Sequence, residues 1–243
     1  MSNRDRLVFL RNLSLVALAA TAAASASAQP DGMGLLHYEP PKVWRLESDG
    51  SAVVAFTVRA SGRIDDVIAL AATERRLGDS AVEAIKQWRF ERDPTLGTGP
   101  QAAPNAVLRR EIVEFVFKRD SGVTIMSHLE GAKAWFPKDR NLEVRLLLPD
   151  ELDAPLARVA QPDPPNVTAR VAALEHGGHA TVSFVVDETG RVRVPTLVAA
   201  DDPALGAAAL AMLASWRYEP PVHDGKPALV EQRNTFTFPP PRE

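Results

Sequence analysis

The chain has 243 residues, a formal net charge of −3 and no cysteine. A mildly acidic chain offers neither a basic stripe for nucleic acid nor a polybasic membrane patch, so we expect no nucleic-acid partner. The absence of cysteine excludes disulfides, thiolate metal sites and thiol chemistry, and any small domain must therefore be stabilised by packing alone.

The N-terminus has the layout of a secretory signal peptide over residues 1–28. Three arginines precede an apolar, alanine-rich run that starts at Leu13, and Ala26-Ser27-Ala28 supplies a small-x-small cleavage site. The competing interpretation is an uncleaved membrane anchor. Serines and threonines interrupt the apolar run, which falls short of the roughly 20 residues that a membrane span needs. We therefore predict export with cleavage.

Residues 50–91 and 178–219 are two copies of one segment, related by a constant offset of 128 without a gap. The identical positions are turn glycines, alternating apolar residues and one tryptophan, which are positions that specify a fold. The period is far longer than the roughly 20–50 residues of a solenoid repeat, so each copy is large enough to be a small domain. We call them the first copy and the second copy.

The sequence pattern predicts the same succession of strands, turn and helix in both copies. In the first copy, alternation over residues 52–58 predicts a strand, Gly62 supplies the positive φ of a hairpin turn, and residues 64–70 predict a second strand. A helical stripe then ends at Trp88, which we expect to fill the gap between helix and strands. An alternating run over residues 111–117 predicts the last strand.

The second copy repeats these elements, with Gly190 in the turn and Trp216 at the end of the helix. Pro195 lies within its second strand and cannot donate a ladder hydrogen bond, which predicts a sheet edge or a bulge there. Asp201-Asp202-Pro203 predicts an acidic N-cap for its helix. The first helix is expected to begin after Gly78-Asp79-Ser80 or slightly earlier.

Residues 121–160 join the two copies. Trp135-Phe136 and the residues around 144–148 are too apolar for a flexible tether, and alternation over residues 142–148 predicts an extra strand. Proline-rich lead-ins precede both copies, at residues 40–41 and 162–165, and favour extended geometry.

No motif predicts catalysis or a resident metal. His176 and His179 flank two glycines, but no acidic or cysteine partner has ligand spacing. Asp65-Asp66 should point to opposite faces of a strand. No G-x-S-x-G, H-E-x-x-H or phosphate-binding glycine loop occurs. We therefore predict a protein that is not an enzyme, with no cofactor, no metal and no small-molecule substrate.

The second copy has the motifs of a known family. Its stretch Trp216-Arg217-Tyr218-Glu219-Pro220 resembles the W-R-[YF]-x-P signature of the TonB C-terminal domain, and residues 187–192 resemble the D-x-x-G-R-V turn of that domain. Asp224-Gly225-Lys226-Pro227 and the final alternating strand extend the resemblance. The first copy is looser, since it lacks the turn aspartate, the proline after Glu91 and a D-G-K-P stretch.

The resemblance implies an α+β fold class with two tandem TonB C-terminal-like domains. Each domain is expected to be a small antiparallel sheet of order β-β-α-β with one helix packed on its face. The expected organisation is a signal peptide over residues 1–28, a first domain over 29–120, a partly ordered connector over 121–160 and a second domain over 161–243.

The resemblance also implies a function and a partner. TonB proteins transmit force from an inner-membrane motor and bind the TonB box of outer-membrane transporters by β-strand addition, in energy-dependent transport such as that of siderophores. The implied partner is a TonB-dependent outer-membrane transporter, and edge strands also invite self-association. The implied partner-binding residues are a lead-in glutamine and the last strand, namely Gln161, Arg233, Asn234, Thr235, Phe236, Thr237 and Phe238.

The sequence departs from the family in two respects that affect the functional prediction. It has two C-terminal domains, and it has neither an obvious retained anchor nor a long Pro-Glu/Pro-Lys spacer. We therefore predict a periplasmic TonB-like protein of a Gram-negative bacterium, with an inner-membrane-anchored protein as the alternative localisation. The alternative function is a periplasmic scaffold or dimerisation protein that binds no transporter.

Overall fold

The computed structural model describes residues 34–43, 45–92, 107–120, 122–126, 141–160 and 177–240. The predicted signal peptide, Trp135-Phe136, Gln161 and His176 lie outside these residues. The described part is mixed α+β. Its strands and helices are β1 (Leu35–His37), β2 (Gly50–Arg59), β3 (Ile64–Ala72), α1 (Arg75–Lys86), β4 (Arg89–Phe90), β5 (Val107–Lys118), β6 (Gly122–Met126), β7 (Val144–Leu147), β8 (Arg158–Ala160), β9 (Gly178–Val186), β10 (Val192–Ala200), α2 (Pro203–Leu213), β11 (Arg217–Tyr218), β12 (Val222–His223), β13 (Lys226–Pro227) and β14 (Leu229–Phe238).

Eight of these strands form a single sheet, in the order β10-β9-β14-β7-β3-β2-β5-β6. Neighbouring strands run antiparallel except β7 and β14, which are parallel. The sequence predicts a separate small sheet for each copy, whereas the structure joins the strands of both copies through β7. The extra strand predicted over residues 142–148 therefore exists, spans Val144–Leu147 and lies inside the sheet.

A glycine closes the first hairpin of each copy. Gly62 has a φ of 77° and Gly190 a φ of 79°, in the left-handed region that the turn prediction requires. Space gives a second reason for glycine. A Cβ at Gly62 would lie 2.0 Å from the carbonyl oxygen of Phe90, and a Cβ at Gly190 would lie 2.0 Å from that of Tyr218. The backbone after each tryptophan thus packs directly on the turn.

Asp187, the first residue of the D-x-x-G-R-V turn, organises the hairpin of the second copy. Its Oδ1 accepts hydrogen bonds from the backbone N–H groups of Thr189 at 2.9 Å and Arg191 at 3.0 Å, and from the Thr189 hydroxyl at 2.6 Å. Its Oδ2 lies 3.2 Å from Nη1 of Arg193. Burial by itself would raise the pKa of Asp187, but these hydrogen bonds outweigh burial and lower the pKa below its usual value.

The two helices begin in different ways. α1 begins at Arg75, and Gly78 lies within the helix, where a Cβ would lie 3.2 Å from the methyl carbon of Ala69. Glycine at this position therefore lets α1 pack closely on β3. The predicted N-cap of α2 is confirmed, because Oδ1 of Asp202 accepts a hydrogen bond from the N–H of Ala204 at 2.7 Å.

Trp88 and Trp216 are core residues, as predicted, with 1% and 2% of their surfaces exposed. The indole N–H of Trp88 donates to the carbonyl oxygen of Glu39 at 2.8 Å. The ring of Trp216 packs on Phe236, with centroids 5.1 Å apart, and the guanidinium of Arg158 lies 4.3 Å from the ring centroid. Within the described residues, the indole N–H of Trp216 has no hydrogen-bond partner.

The two copies share a core. Val185, Val194 and Leu229 of the second copy pack in the core of the first copy, and β10 lies against β2, β3 and β5. β2 is buried at nine consecutive residues, because α1 packs on it and so does the second copy. The described parts of the two copies therefore form one folded unit.

Asp66 on β3 forms the main polar contact between the copies. Its Oδ1 accepts hydrogen bonds from Nη2 and Nε of Arg193 at 2.6 and 2.9 Å, and its Oδ2 accepts the N–H of Val194 at 2.7 Å. Val194 is fully buried and has a φ of 39°, a strained value for a β-branched residue. Asp65 points elsewhere and pairs with Arg59 at 2.6 Å. The opposite orientation of the two carboxylates is confirmed, but the contact of Asp66 with the second copy was not predicted.

β10 is the end strand of the large sheet, and Pro195 lies within it. The register between β10 and β9 shifts between Arg193 and Thr196. The prediction of an edge or bulge at Pro195 is therefore confirmed. Further along the same strand, Leu197 and Val198 are exposed.

Candidate functional site

β14 contains most of the predicted partner-binding residues, and its two sides differ. On one side, residues 230–238 pair continuously with β9. On the other side, β7 pairs only with Leu229 and Val230. Within the ranges that the structure describes, no strand pairs with residues 231–238 on that second side. We call this unpaired side of residues 231–238 the open edge.

Side chains along the open edge alternate between core and solvent. Phe236 and Phe238 are 7% and 6% exposed and stack on each other with centroids 6.3 Å apart. The hydroxyls of Thr235 and Thr181 lie 2.9 Å apart, which ties β14 to β9. The exposed or half-exposed predicted residues are Arg233, Asn234, Thr235 and Thr237. The buried phenylalanines thus fix the strand in place, while its backbone on the open edge has no strand partner among the described residues.

β5 is the counterpart of β14 in the first copy. Gly50 of β2 pairs with Phe117, and the corresponding Gly178 of β9 pairs with Phe238. Residues 114–117 of β5 therefore correspond to residues 235–238 of β14. On β5 the side away from β2 is covered, because β6 pairs antiparallel with residues 114–118. Over these four residues the same edge is thus open in the second copy and filled in the first.

One described group of side chains has the composition of a metal site. Asp153, His223 and Asp224 offer ligand atoms within 4.8 Å of one another. Both carboxylate oxygens of Asp153 already accept backbone hydrogen bonds, from Asp224 at 2.8 Å and from Gly225 at 2.9 Å. The bonds from Gly225 and Asp224 lower the pKa of Asp153. Asp224 and Gly225 both have positive φ, so capping of this tight turn accounts for the position of Asp153.

The fold is a mixed α+β module whose last strand, β14, is paired on one side only along residues 231–238 among the described strands. The family model of the Gram-negative bacterial TonB protein C-terminal matches residues 37–103 and 168–240, together more than half of the chain. The chain belongs to this family. The resemblance predicted from the motifs is thereby confirmed, and the family model matches a region in each copy.

Family membership places the chain among the TonB-like envelope proteins of transport energy coupling. Proteins of this family are non-enzymatic energy transducers, and their C-terminal domains in general interact with outer-membrane transporters. A solution NMR structure of the Pseudomonas aeruginosa TonB CTD is similar at 22% identity, with a TM-score of 0.28, over 35% of this chain and 87% of that chain. No curated protein matches the sequence.

Neither α1 nor α2, the α-helices of the described ranges, is long and apolar enough to cross a membrane.

Proposed function

We propose that the chain is a periplasmic TonB-like protein that binds extended peptides of the TonB-box type, from outer-membrane transporters, by β-strand addition in energy-dependent transport. The observation that carries the proposal is the open edge of β14, where residues 231–238 have a strand partner on one side only among the described residues. Family membership supports the class of partner. The proposed organisation is a cleaved signal peptide over residues 1–28 and two TonB C-terminal-like regions over 29–120 and 161–243. Residues 121–160 between them contribute β6, β7 and β8, and β7 joins the two regions in one sheet.

Backbone chemistry sets the expected strength of this interaction. Alternate residues of a strand direct their N–H and C=O groups to the same side, so eight residues offer about eight groups to an added strand. At roughly 0.5–1.5 kcal/mol for each hydrogen bond, the gross gain is roughly 4–12 kcal/mol. Loss of translational freedom and ordering of the peptide offset several kcal/mol of it. We therefore expect a dissociation constant on the order of 10–1000 µM.

The side chains restrict what the peptide can contribute. Phe236 and Phe238 are buried, so they offer little free surface to an incoming side chain. Arg233, Thr235 and Thr237 are exposed, and they present one positive charge and two hydroxyls along the strand. An extended peptide with β-branched residues and a carboxylate near Arg233 fits this surface. The contribution of Gln161 is part of the proposal through the family resemblance alone.

The proposal is tested by titrating the isotope-labelled exported protein with synthetic TonB-box peptides and recording backbone amide shifts. We expect shifts in residues 231–238 and none in α2. The same peptide with a proline at its centre lacks one N–H and is the matched control, and it should bind at least several-fold more weakly. Absence of shifts in β14 at millimolar peptide would show that the open edge does not bind such peptides.

Localisation is tested separately. The proposed cleavage predicts that the protein recovered from the periplasmic fraction begins near Gln29. N-terminal sequencing of the fractionated protein measures this directly. A protein that keeps residues 1–28 and sediments with inner membranes would instead support the anchored alternative.

The second candidate function, a scaffold or dimerisation protein, is favoured by one observation. Leu197 and Val198 on the end strand β10 are 38% and 48% exposed, and an exposed apolar end strand is suited to pairing with a second copy of the chain. Sedimentation velocity over a concentration series distinguishes the two functions. Self-association that Val198→Lys abolishes, together with no peptide-induced shifts in β14, would favour the scaffold.

A further inference from the structure

β6 covers the edge of the first copy that corresponds to the open edge of the second copy. Its five residues pair antiparallel with β5, from Gly122 with Lys118 to Met126 with Glu114. The covered residues 114–117 correspond to residues 235–238 of β14, since both sets occupy the same register against β2 and β9. β6 thus lies where an added strand would lie on the second copy.

The chain holds β6 in this place by a short hairpin. Only three residues separate Lys118 from Gly122 in the sequence, and Gly122 has a φ of 90°. No atom lies within 4 Å of the position of a Cβ there, so the backbone conformation and not lack of space requires glycine. Asp49 anchors the end of β5, because its carboxylate accepts hydrogen bonds from Nζ of Lys118 at 2.7 Å and from the N–H of Arg119 at 3.0 Å.

We propose that β6 is an internal ligand that closes a second, latent peptide-binding edge on β5. In this arrangement the described structure offers the open edge of β14, and the corresponding edge of β5 becomes available when β6 leaves it. The partner of the latent edge is an extended peptide that adds antiparallel to residues 114–118, as β6 does. This inference extends the proposed function of the open edge to the first copy.

Tethering explains why the latent edge stays closed. A strand joined by a short turn has an effective concentration of roughly 1 mM or more at its own edge. A free peptide with a dissociation constant of about 0.1 mM would therefore be weakened about tenfold or more on β5 by competition with β6. On β14, no such competitor lies along residues 231–238 among the described strands.

Proline substitutions in β6 open the latent edge selectively. Because the N–H groups of alternate residues face the same side of a strand, only one of two sets donates to β5, either Val123 with Ile125 or Gly122 with Thr124 and Met126. The full chains carrying V123P/I125P and T124P are therefore matched to each other. The probe is a synthetic peptide with the sequence of residues 121–127, added to the isotope-labelled protein.

The expected result is asymmetric. One variant loses hydrogen-exchange protection at the amides of residues 114–118 and gains peptide-induced shifts there, while the other variant and the unaltered chain show neither. Unchanged α1 resonances show that the first copy remains folded. If neither variant binds the probe at β5, or if both behave like the unaltered chain, the latent edge is disproved.

A milder variant covers the case in which the proline variants unfold. Asp49→Ala removes both anchoring hydrogen bonds without altering β6, and it should speed amide exchange at residues 114–118 about tenfold while leaving β14 unchanged. Equal exchange in this variant and in the unaltered chain would overturn the proposal. Binding of TonB-box peptides at β14 is read from different amides in the same spectra, so failure of the latent edge and failure of the proposed function are told apart.

Discussion

Replacement of Asp66 by alanine tests whether the two copies are held together as the structure indicates. The carboxylate of Asp66 accepts three hydrogen bonds from β10, two from Arg193 and one from the N–H of Val194. Arg193 and Asp66 are only 27% and 23% exposed at their side chains, and Val194 is fully buried. Burial disfavours the charged guanidinium, yet the hydrogen bonds to Asp66 and Asp187 raise the pKa of Arg193.

The structure sets the magnitude of the loss. Removal of the carboxylate leaves a buried N–H at Val194 without its acceptor, which costs roughly 1–3 kcal/mol. The charge-assisted bonds to Arg193 add roughly 1.5–3 kcal/mol, although Arg193 keeps Asp187 and the carbonyl oxygen of Val67 as partners. Relaxation of the strained backbone at Val194 offsets part of the sum. We expect Asp66→Ala to lower the free energy of unfolding by roughly 2–4 kcal/mol.

The neighbouring residue supplies the matched control. Asp65 lies on the same strand and its carboxylate pairs with Arg59 at the surface, with side chains 35% and 27% exposed. Such a pair contributes roughly 0.2–1 kcal/mol, so Asp65→Ala should change stability little. Urea unfolding with linear extrapolation measures both free energies, and the melting temperature of the Asp66→Ala protein should fall by roughly 4–16 °C. Equal losses for the two variants would refute the contribution of Asp66 to the contact between copies.

Three further predictions concern single positions. Gly190→Ala places a Cβ 2.0 Å from the carbonyl oxygen of Tyr218, whereas Gly225→Ala, at a similar φ, meets no atom within 4 Å. In urea unfolding, Gly225→Ala should lower the free energy of unfolding by roughly 1 kcal/mol, the cost of backbone strain alone. Gly190→Ala should lower it by roughly 2 kcal/mol or more beyond that. The pKa of Asp187 is lowered on folding, so its contribution to stability is present above about pH 4 and is lost as the pH falls through the folded pKa. The stability difference between the unaltered protein and Asp187→Asn should therefore shrink from pH 6 to pH 3, and a constant difference would contradict this. Trp88→Phe removes an indole N–H that donates to the carbonyl oxygen of Glu39, whereas the indole N–H of Trp216 has no partner in the described structure. Trp88→Phe should therefore lower the free energy of unfolding by about 1 kcal/mol more than Trp216→Phe. Equal losses would argue against the hydrogen bond of Trp88.

Most of the secondary structure could be predicted because it depends on local patterns. Alternation of apolar residues predicts β2 and β9, and positive φ is required at Gly62 and Gly190 whatever the rest of the chain does. The start of α1 at Arg75 was harder to place, since Glu74 provides no side-chain cap. By contrast Asp202 caps α2 through its own side chain, and the sequence predicts that start correctly.

The candidate site could be predicted only in part. The family resemblance directs attention to residues 233–238, and the structure places these residues on one strand with one open side among the described residues. The prediction assigns residues 122–126 to the connector, so it does not include the pairing of β6 with β5. A run of five residues that follows a last strand across a short turn with glycine is the signal that could have predicted this hairpin.

The sequence by itself determined the hairpin strands and the last strand of each copy, the extra strand over residues 142–148, the turn glycines, the two buried tryptophans and the family. These features depend on periodicity and backbone conformation over a few residues, and the same local patterns occur in both copies. Only the tertiary structure decided that both copies share one sheet through β7 and that Asp66 accepts the N–H of Val194. It also decided that β6 covers the edge of β5 whose counterpart on β14 is the open edge. Those arrangements join segments that lie far apart in the chain or choose between competing strand partners. Since hydrogen bonds of the backbone are the same for every residue type, local side-chain patterns do not specify which strand edge pairs with which.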